Sequence, residues 1–298
     1  MINNAPSEKP GLKAWLLLIL LSLMWGSSFI LIKAGLRVFD PLEVGSLRIA
    51  AAGVFLLPWA FKDIRKVNQR EWKYLLYIGL MGSLIPAFLF AKAQTRIDSS
   101  LAGVINALTP LFVLFIGAIF FARKIRRNQY IGLIIGFCGT ALLVMAGSGG
   151  SWDQLNFYGL FVVAATICYG FNLNIIKYKI ESLKAISITS ISISLVLIPA
   201  TLFLLFGTDF ISKMTTIPDA SLAFAAITLL GIMSTSIALV IFNGLVRMTN
   251  PIFTSSVTYL IPLVAVGWGV WDGEVLLIGH FLGMIIVLAG VFIANAKK

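Results

Sequence analysis

The residues of this chain that could do chemistry away from its loops lie inside long apolar runs. The stretch "MWGSSFILIK", residues 24–33, sets Trp25, Ser27 and Ser28 in one run, and "CYGFNLNIIK", residues 168–177, sets Tyr169, Asn172 and Asn174 in another. Ser83, Asn106, Thr109, Thr235, Asn243, Thr258 and Tyr259 are placed in the same way, and Arg48 is the one formal charge clearly within a run. Such groups can recognise a small solute through hydrogen bonds and charge. Catalysis would need a clustered nucleophile, base or metal-ligand set. His280 is the sole histidine, H-E-x-x-H is absent, no acid pair lies in mid-run, and Cys138 and Cys168 form no C-x-x-C. No catalytic residue, metal site or cofactor is expected.

Each candidate also has a reading that needs no solute. Serine and threonine in apolar helices often bond the carbonyl four residues back. Asparagine cannot satisfy itself locally, yet a bond to a neighbouring helix would suffice. Arg48 could snorkel outward, since it lies about two turns from a helix end, or it could face a carboxylate or phosphate on a solute. Trp25 and Tyr169 lie too far from helix ends for an interfacial belt. The expected solute-binding set is Trp25, Ser28, Arg48, Asn106, Tyr169, Asn172, Asn174, Asn243 and Tyr259, with Pro110 and Pro262 as bending points for gating.

The elements that must position these residues are membrane helices. Hydrophobic residues make up 59% of the 298 and charged ones only 12%, too few to coat a water-facing globule of this size. A helix needs about 20 apolar residues to cross the hydrocarbon. Ten blocks qualify: 14–33, 42–61, 73–91, 98–121, 128–147, 157–177, 185–206, 221–243, 251–270 and 275–295. Pro41 is placed to open the second. The first could be read as a signal peptide, but its apolar stretch runs on to Ile32, too long for that role.

The net charge of +11 could suggest nucleic-acid binding in a soluble protein. Here 17 of the 23 Lys and Arg residues fall in alternate connecting segments and at the two ends, which the positive-inside rule assigns to the cytoplasm. Both termini are therefore expected inside, and the charge requires no nucleic acid.

The chain also repeats itself. A shift of 144 carries Trp25-Gly26 onto Tyr169-Gly170. A shift of 152 carries Gly79, Met81, Phe90 and Pro110 onto Gly231, Met233, Phe242 and Pro262, and a shift of 151 carries Gly132 and Gly139 onto Gly283 and Gly290. Five helices, 1–147, are followed by five more, 148–298. An odd number inverts the second copy, and Arg123 accordingly aligns with Glu274. The join, "AGSGGSWDQLN", lacks the Gly-Lys-Ser/Thr of a phosphate-binding loop. Inverted repeats are a recurrent transporter design, with the site at the midplane between the copies.

"MWGSSFILIKAGL", "LRIAAAGVFLLP", "SSLAGVINALTPLFVLFIGAIFF" and "GEVLLIGHFLGMIIVLAGV" occur in that order. Through these stretches the chain resembles the EamA-type permeases of the drug/metabolite transporter superfamily over essentially its whole length. The resemblance implies an all-α, ten-helix inner-membrane transporter exporting small metabolites, amino acids or drug-like compounds by alternating access around a central cavity. One departure is evident: where that family commonly has Gly-Glu before the last helix of each half, this chain keeps Gly273-Glu274 but has Ala122-Arg123. With Glu43, Glu274 and His280 all towards outer helix ends, the expected transport is facilitated, or coupled without a central carboxylate. A passive channel and, more remotely, an intramembrane enzyme are the alternatives.

Overall fold

The computed structural model describes residues 11–122, 126–146, 157–180, 182–248 and 257–295. Among them the regular structure is entirely helical. Seven stretches are long and apolar enough to cross a membrane: Leu12–Leu36, Pro41–Lys66, Trp72–Ala93, Ser99–Phe120, Gly159–Lys179, Ala185–Phe206 and Ala220–Phe242. The other three expected spans correspond to α8 (Arg127–Ala146), α14 (Val257–Trp271) and α15 (Ile278–Asn295). The apolar parts of the last two are shorter than a full crossing, and residues 249–256 before α14 lie outside the described set. Large apolar side chains such as Phe206, Ile278, Leu222 and Phe61 are 70–82% exposed, a surface suited to lipid and not to water.

Several spans are not single helices. The first divides into α1 (Leu12–Gly26) and α2 (Ser28–Leu36), and the fourth into α6 (Ser99–Asn106) and α7 (Thr109–Phe120). In the third, a π-helical turn, Leu80–Leu84, separates α4 (Trp72–Gly79) from α5 (Ile85–Ala93). In the eighth, a longer one, Leu230–Ile237, separates α12 (Ala220–Leu229) from α13 (Ala238–Met248). The two π segments fall at the positions that the shift of 152 brings together. The second span, α3 (Pro41–Asp63), opens at Pro41 as expected, with Asp40 and Glu43 forming a capping box. The sixth span, α9 (Gly159–Lys179), and the seventh, α10 (Ala185–Phe206), are continuous, and a short α11 (Phe210–Thr216) follows them.

The packing respects the same correspondence. α8 lies along α15, and α3 along α10, so the expected fifth span meets the expected tenth and the second meets the seventh. α1 packs on α14 and α7 on α9, a pair of contacts that exchange when the halves are exchanged. Bare backbone makes these approaches possible. A Cβ on Gly26 would lie 2.5 Å from Val264 Cβ, and one on Gly170 would lie 2.6 Å from Ile116 and 3.1 Å from the Phe112 backbone. Along α8 and α15, a Cβ on Gly132 would meet the Gly290 carbonyl at 2.4 Å. Without a hydrophobic drive between helices in lipid, such close contact is a main source of cohesion.

Gly26→Val and Gly170→Val are each expected to lower stability by about 1–3 kcal/mol through overpacking, seen as a lower melting temperature of the detergent-purified protein. Gly267→Ala, where nothing lies within 4 Å, is the control and should leave that temperature unchanged or slightly higher.

Candidate functional site

The break in the first span is held by its neighbours. The Met24 carbonyl accepts the hydroxyls of Ser28 (3.2 Å) and Ser234 (2.8 Å), and Trp25 Nε1 donates to the Ser234 carbonyl at 2.9 Å. Trp268 of α14 donates its indole N–H to Ser27 Oγ at 2.8 Å. Ser28 thus bonds within its own helix turn, while Ser27 reaches across. The break in the fourth span follows from Pro110, which has no N–H for the carbonyl of Asn106. Thr109 Oγ1 donates to that carbonyl at 2.8 Å and lies 3.3 Å from Asn106 Oδ1. Pro262, its counterpart, sits inside the continuous α14.

The two asparagines of α9 have different surroundings, because residues two apart on a helix face away from each other. Asn174 is buried, and its Nδ2 donates to the carbonyls of Val113 (2.9 Å) and Gly170 (2.8 Å). Asn172 lies against Gly82 in the π turn of the third span, and its Oδ1 is buried with no donor. Asn172 shares a face with Tyr169, three residues earlier. Arg48 Nε donates to Thr235 Oγ1 at 3.1 Å, and its guanidinium also contacts the Tyr169 hydroxyl. Among the described residues no carboxylate lies within ion-pair distance of it. Trp25 packs on Phe242 with ring centroids 5.4 Å apart, and Tyr169 on Phe90 at 6.1 Å. The shifts of 144 and 152 carry one pair onto the other. The structure therefore brings Arg48 to Thr235 and Tyr169, with Asn172 one turn along the same face of α9 and against Gly82, and Trp25 in the place that matches Tyr169. The side chains of Asn243 and Tyr259 lie outside the described residues.

Sequence reasoning did not single out Ser234, Trp268, Phe90 or Phe242 as site residues. The last two had a signal, their shared offset of 152. Trp268 had none.

Beyond this level the helix ends on one side are tied by ions. Gly273, with φ of +84°, turns the chain so that Glu274 points back under the fourth span. Glu274 Oε1 accepts Lys33 Nζ (2.8 Å), Ser99 N–H (2.9 Å) and Ser99 Oγ (2.7 Å), and Oε2 accepts Ser100 N–H (3.1 Å). A carboxylate at the N-terminus of α6 is favourable for the helix dipole as well. Burial works against the charge on Glu274, but the hydrogen bonds from Lys33, Ser100 and Ser99 outweigh it and hold the carboxyl down at about 2. Lys213 closes a second tie with Asp40 (2.6 Å) and Glu43 (2.7 Å). Burial opposes the Lys213 charge, yet its bonds to Asp40 and Glu43 raise its pKa above the usual lysine value. His280 Nδ1 accepts the Leu277 N–H at 3.0 Å, capping the start of α15. In the first half, Ala122 occupies the place of Gly273 and keeps a left-handed backbone, φ +52°, at a cost of about 1 kcal/mol for a residue with a Cβ.

Comparison with known proteins points in one direction. The model of the EamA-like transporter family matches residues 12–145 and again 156–296. An inner membrane transporter of Escherichia coli (strain K12), YedA, is 28% identical over 94% of this chain and 90% of its own length. A probable amino-acid metabolite efflux pump of Salmonella typhimurium is 26% identical, covering 96% and 95% of the two chains. The transporter YvbV of Bacillus subtilis is 25% identical, covering 98% and 94%. One crystal structure superposes with a TM-score of 0.61 at 17% identity, covering 95% of this chain and 96% of that one, which is a likeness of fold.

Because its pKa is depressed, Glu274 contributes stability that is complete above its ordinary value of 4.5 and is lost as pH falls from there towards about 2. The full loss is on the order of 3 kcal/mol. Melting temperatures measured from pH 7 to pH 3 should fall below pH 4.5 by more in the unaltered protein than in Glu274→Gln. Ala122→Gly should raise the melting temperature at every pH, by relief of the left-handed alanine.

Proposed function

The chain belongs to the EamA-like transporter family, and from that membership we propose a secondary transporter that exports small metabolites across the inner membrane by alternating access. It spans the membrane ten times as two inverted five-helix repeats, residues 1–147 and 148–298, with both termini in the cytoplasm. The observation that carries this reading is the exchange of contacts between halves: α1 on α14 against α7 on α9, and Trp25 on Phe242 against Tyr169 on Phe90. A structure whose two sides repeat one set of contacts in opposite senses has two related packings, one open to each side.

The solute site lies between the repeats, with Trp25, Arg48, Asn106, Tyr169 and Asn172 on its walls, and Asn243 and Tyr259 completing it from the eighth and ninth spans. Ser28 and Asn174 serve it at one remove by holding the first and sixth spans in shape. Pro110 and Pro262 mark where the fourth and ninth spans bend as access alternates. Opening to the outside parts the Lys33–Glu274 tie. The absence of an acid at mid-span favours movement down the solute's own gradient over proton coupling. The relative from Salmonella typhimurium, named a probable amino-acid metabolite efflux pump, and YedA, named an inner membrane transporter, support the direction, the solute class and the membrane.

Cells overproducing the protein should tolerate several-fold more of some toxic amino-acid analogues than control cells. With such a solute identified, inverted vesicles preloaded with it unlabelled should take up label faster than empty ones, and dissipating a pH gradient should leave that rate unchanged. Uptake indifferent to preloading would favour a channel and defeat alternating access. Asn106→Ala is expected to reduce tolerance without reducing the amount of protein in the membrane.

A further inference from the structure

The two ends of the bundle differ in how their charges are answered. Where α3 begins, Lys33, Arg37 and Lys213 meet carboxylates at 2.6–3.2 Å. Where α3 finishes, Lys66 on Asp63 is the one ion pair among the described residues. Lys62, Arg65, Arg70 and Lys73 are exposed at that end, and so are Lys179 and Lys184 between the sixth and seventh spans. Among the described residues none of the six has an acid within ion-pair distance. Lys177, the counterpart of Lys33 under the shift of 144, has the ring of Tyr178 at 5.3 Å where Lys33 has two carboxylates. The positive-inside rule sorts basic residues into loops, but it does not require distant loops to meet. Here the fold joins them. Glu71 accepts the Ser182 hydroxyl at 2.7 Å, and Asp63 accepts that of Ser187 beside its pair with Lys66. Both acids of segment 62–73 are thereby buried against the other half, and the cations of both halves are left outside them.

We propose that this end of the bundle is a docking surface for anionic phospholipids, whose phosphodiester groups bind Lys62, Arg65, Arg70 and Lys73 of one half and Lys179 and Lys184 of the other. Exposed rings fix the depth of the surface. Trp59 and Tyr77 lie one helical turn inside segment 62–73, and Tyr178 adjoins Lys179, all three 36–51% exposed. Such rings stand at the level of lipid headgroups, which places the cations at the height of the phosphates. Basic residues clustered next to a membrane helix attract anionic lipid in the same way. Phe61, 70% exposed beside Lys62, offers apolar contact for an acyl chain. A soluble anion would lack that contact and would bind through screened charge alone. A zwitterionic lipid brings its own cation and neutralises nothing. Because the cations come from both halves, bound lipid joins the halves where the protein itself supplies two carboxylate–hydroxyl bonds and no ion pair among the described residues. The surface does not depend on what the chain transports.

The test adds phosphatidylglycerol or phosphatidylcholine, both with dioleoyl chains, to the full chain purified in a neutral detergent. Lipid retained per protein is counted by native mass spectrometry, and the rise in melting temperature is followed with lipid concentration. Phosphatidylglycerol is expected to bind saturably and several-fold more tightly than phosphatidylcholine, and added salt should shrink the difference. Arg65→Gln combined with Lys184→Gln should weaken phosphatidylglycerol by about tenfold and leave phosphatidylcholine unchanged. Lys62→Gln combined with Lys179→Gln should do the same. Lys92→Gln combined with Arg96→Gln removes equal charge at the opposite end and should change neither lipid. Equal binding of the two lipids by the unaltered protein overturns the proposal, whether or not any variant folds. An equal loss in the opposite-end variant also overturns it, since net charge and not this surface would then select the lipid. Glycerol phosphate or polyglutamate binding as tightly as phosphatidylglycerol would overturn it too, and would make the partner a soluble anion or an acidic protein.

Discussion

Inside hydrocarbon a backbone N–H or carbonyl without a partner costs several kcal/mol, and no water is at hand to supply one. Every irregularity in a membrane helix must therefore be answered by a side chain. That requirement organises this molecule. The broken first span leaves the Met24 carbonyl open, and Ser28 and Ser234 fill it. Pro110 strands the Asn106 carbonyl, and Thr109 takes it. The widened turn of the eighth span is met by Trp25 at Ser234, and by Ser236, which bonds the carbonyls of Ala52 and Gly231 at 3.3 Å each. Much of the polarity that stands out in the apolar sequence is present because the helices are not regular.

Once those obligations are subtracted, a scattered remainder of buried polar atoms is left, on Ser46, Gln94, Ser192 and Thr228 as well as on Asn172. Arg48 has neutral company only, and Asn172 keeps one acceptor idle. Ser28, Asn174 and Thr109, neutral polar residues in apolar runs like Asn172, have their hydrogen bonds already committed. What separates the proposed binding groups from the structural ones is whether the protein has already answered them.

The helical architecture was legible in the sequence because apolar length, basic loops and matched offsets are local or periodic signals. Pro41, Pro110 and the Gly26/Gly170 pair could be placed from those alone. The division of labour between Asn172 and Asn174 could not, since it depends on what the third and fourth spans bring to opposite faces of α9. The partner of Ser27 was equally hidden, for Trp268 lies 241 residues away and looks like any apolar-run tryptophan. Glu274 was legible as an acid at a helix end, but not as the acceptor of four hydrogen bonds from two other spans. The π turns had no signature at all beyond the glycines near them, Gly79 and Gly231.

In the proposed inverted arrangement, the left-handed Ala122 has a consequence for how such a molecule can differ between its two faces. In an assembly of two identical chains set head to tail, any change at this corner would appear on both sides of the membrane together. Because one family model matches this single chain twice, each corner answers to its own codons. Glycine and glutamate stand at one corner, and alanine and arginine at the other, where the backbone still follows the glycine's path. Sidedness, the property a vectorial device needs most, can thus be written by a two-residue edit that a symmetric dimer has no means of recording.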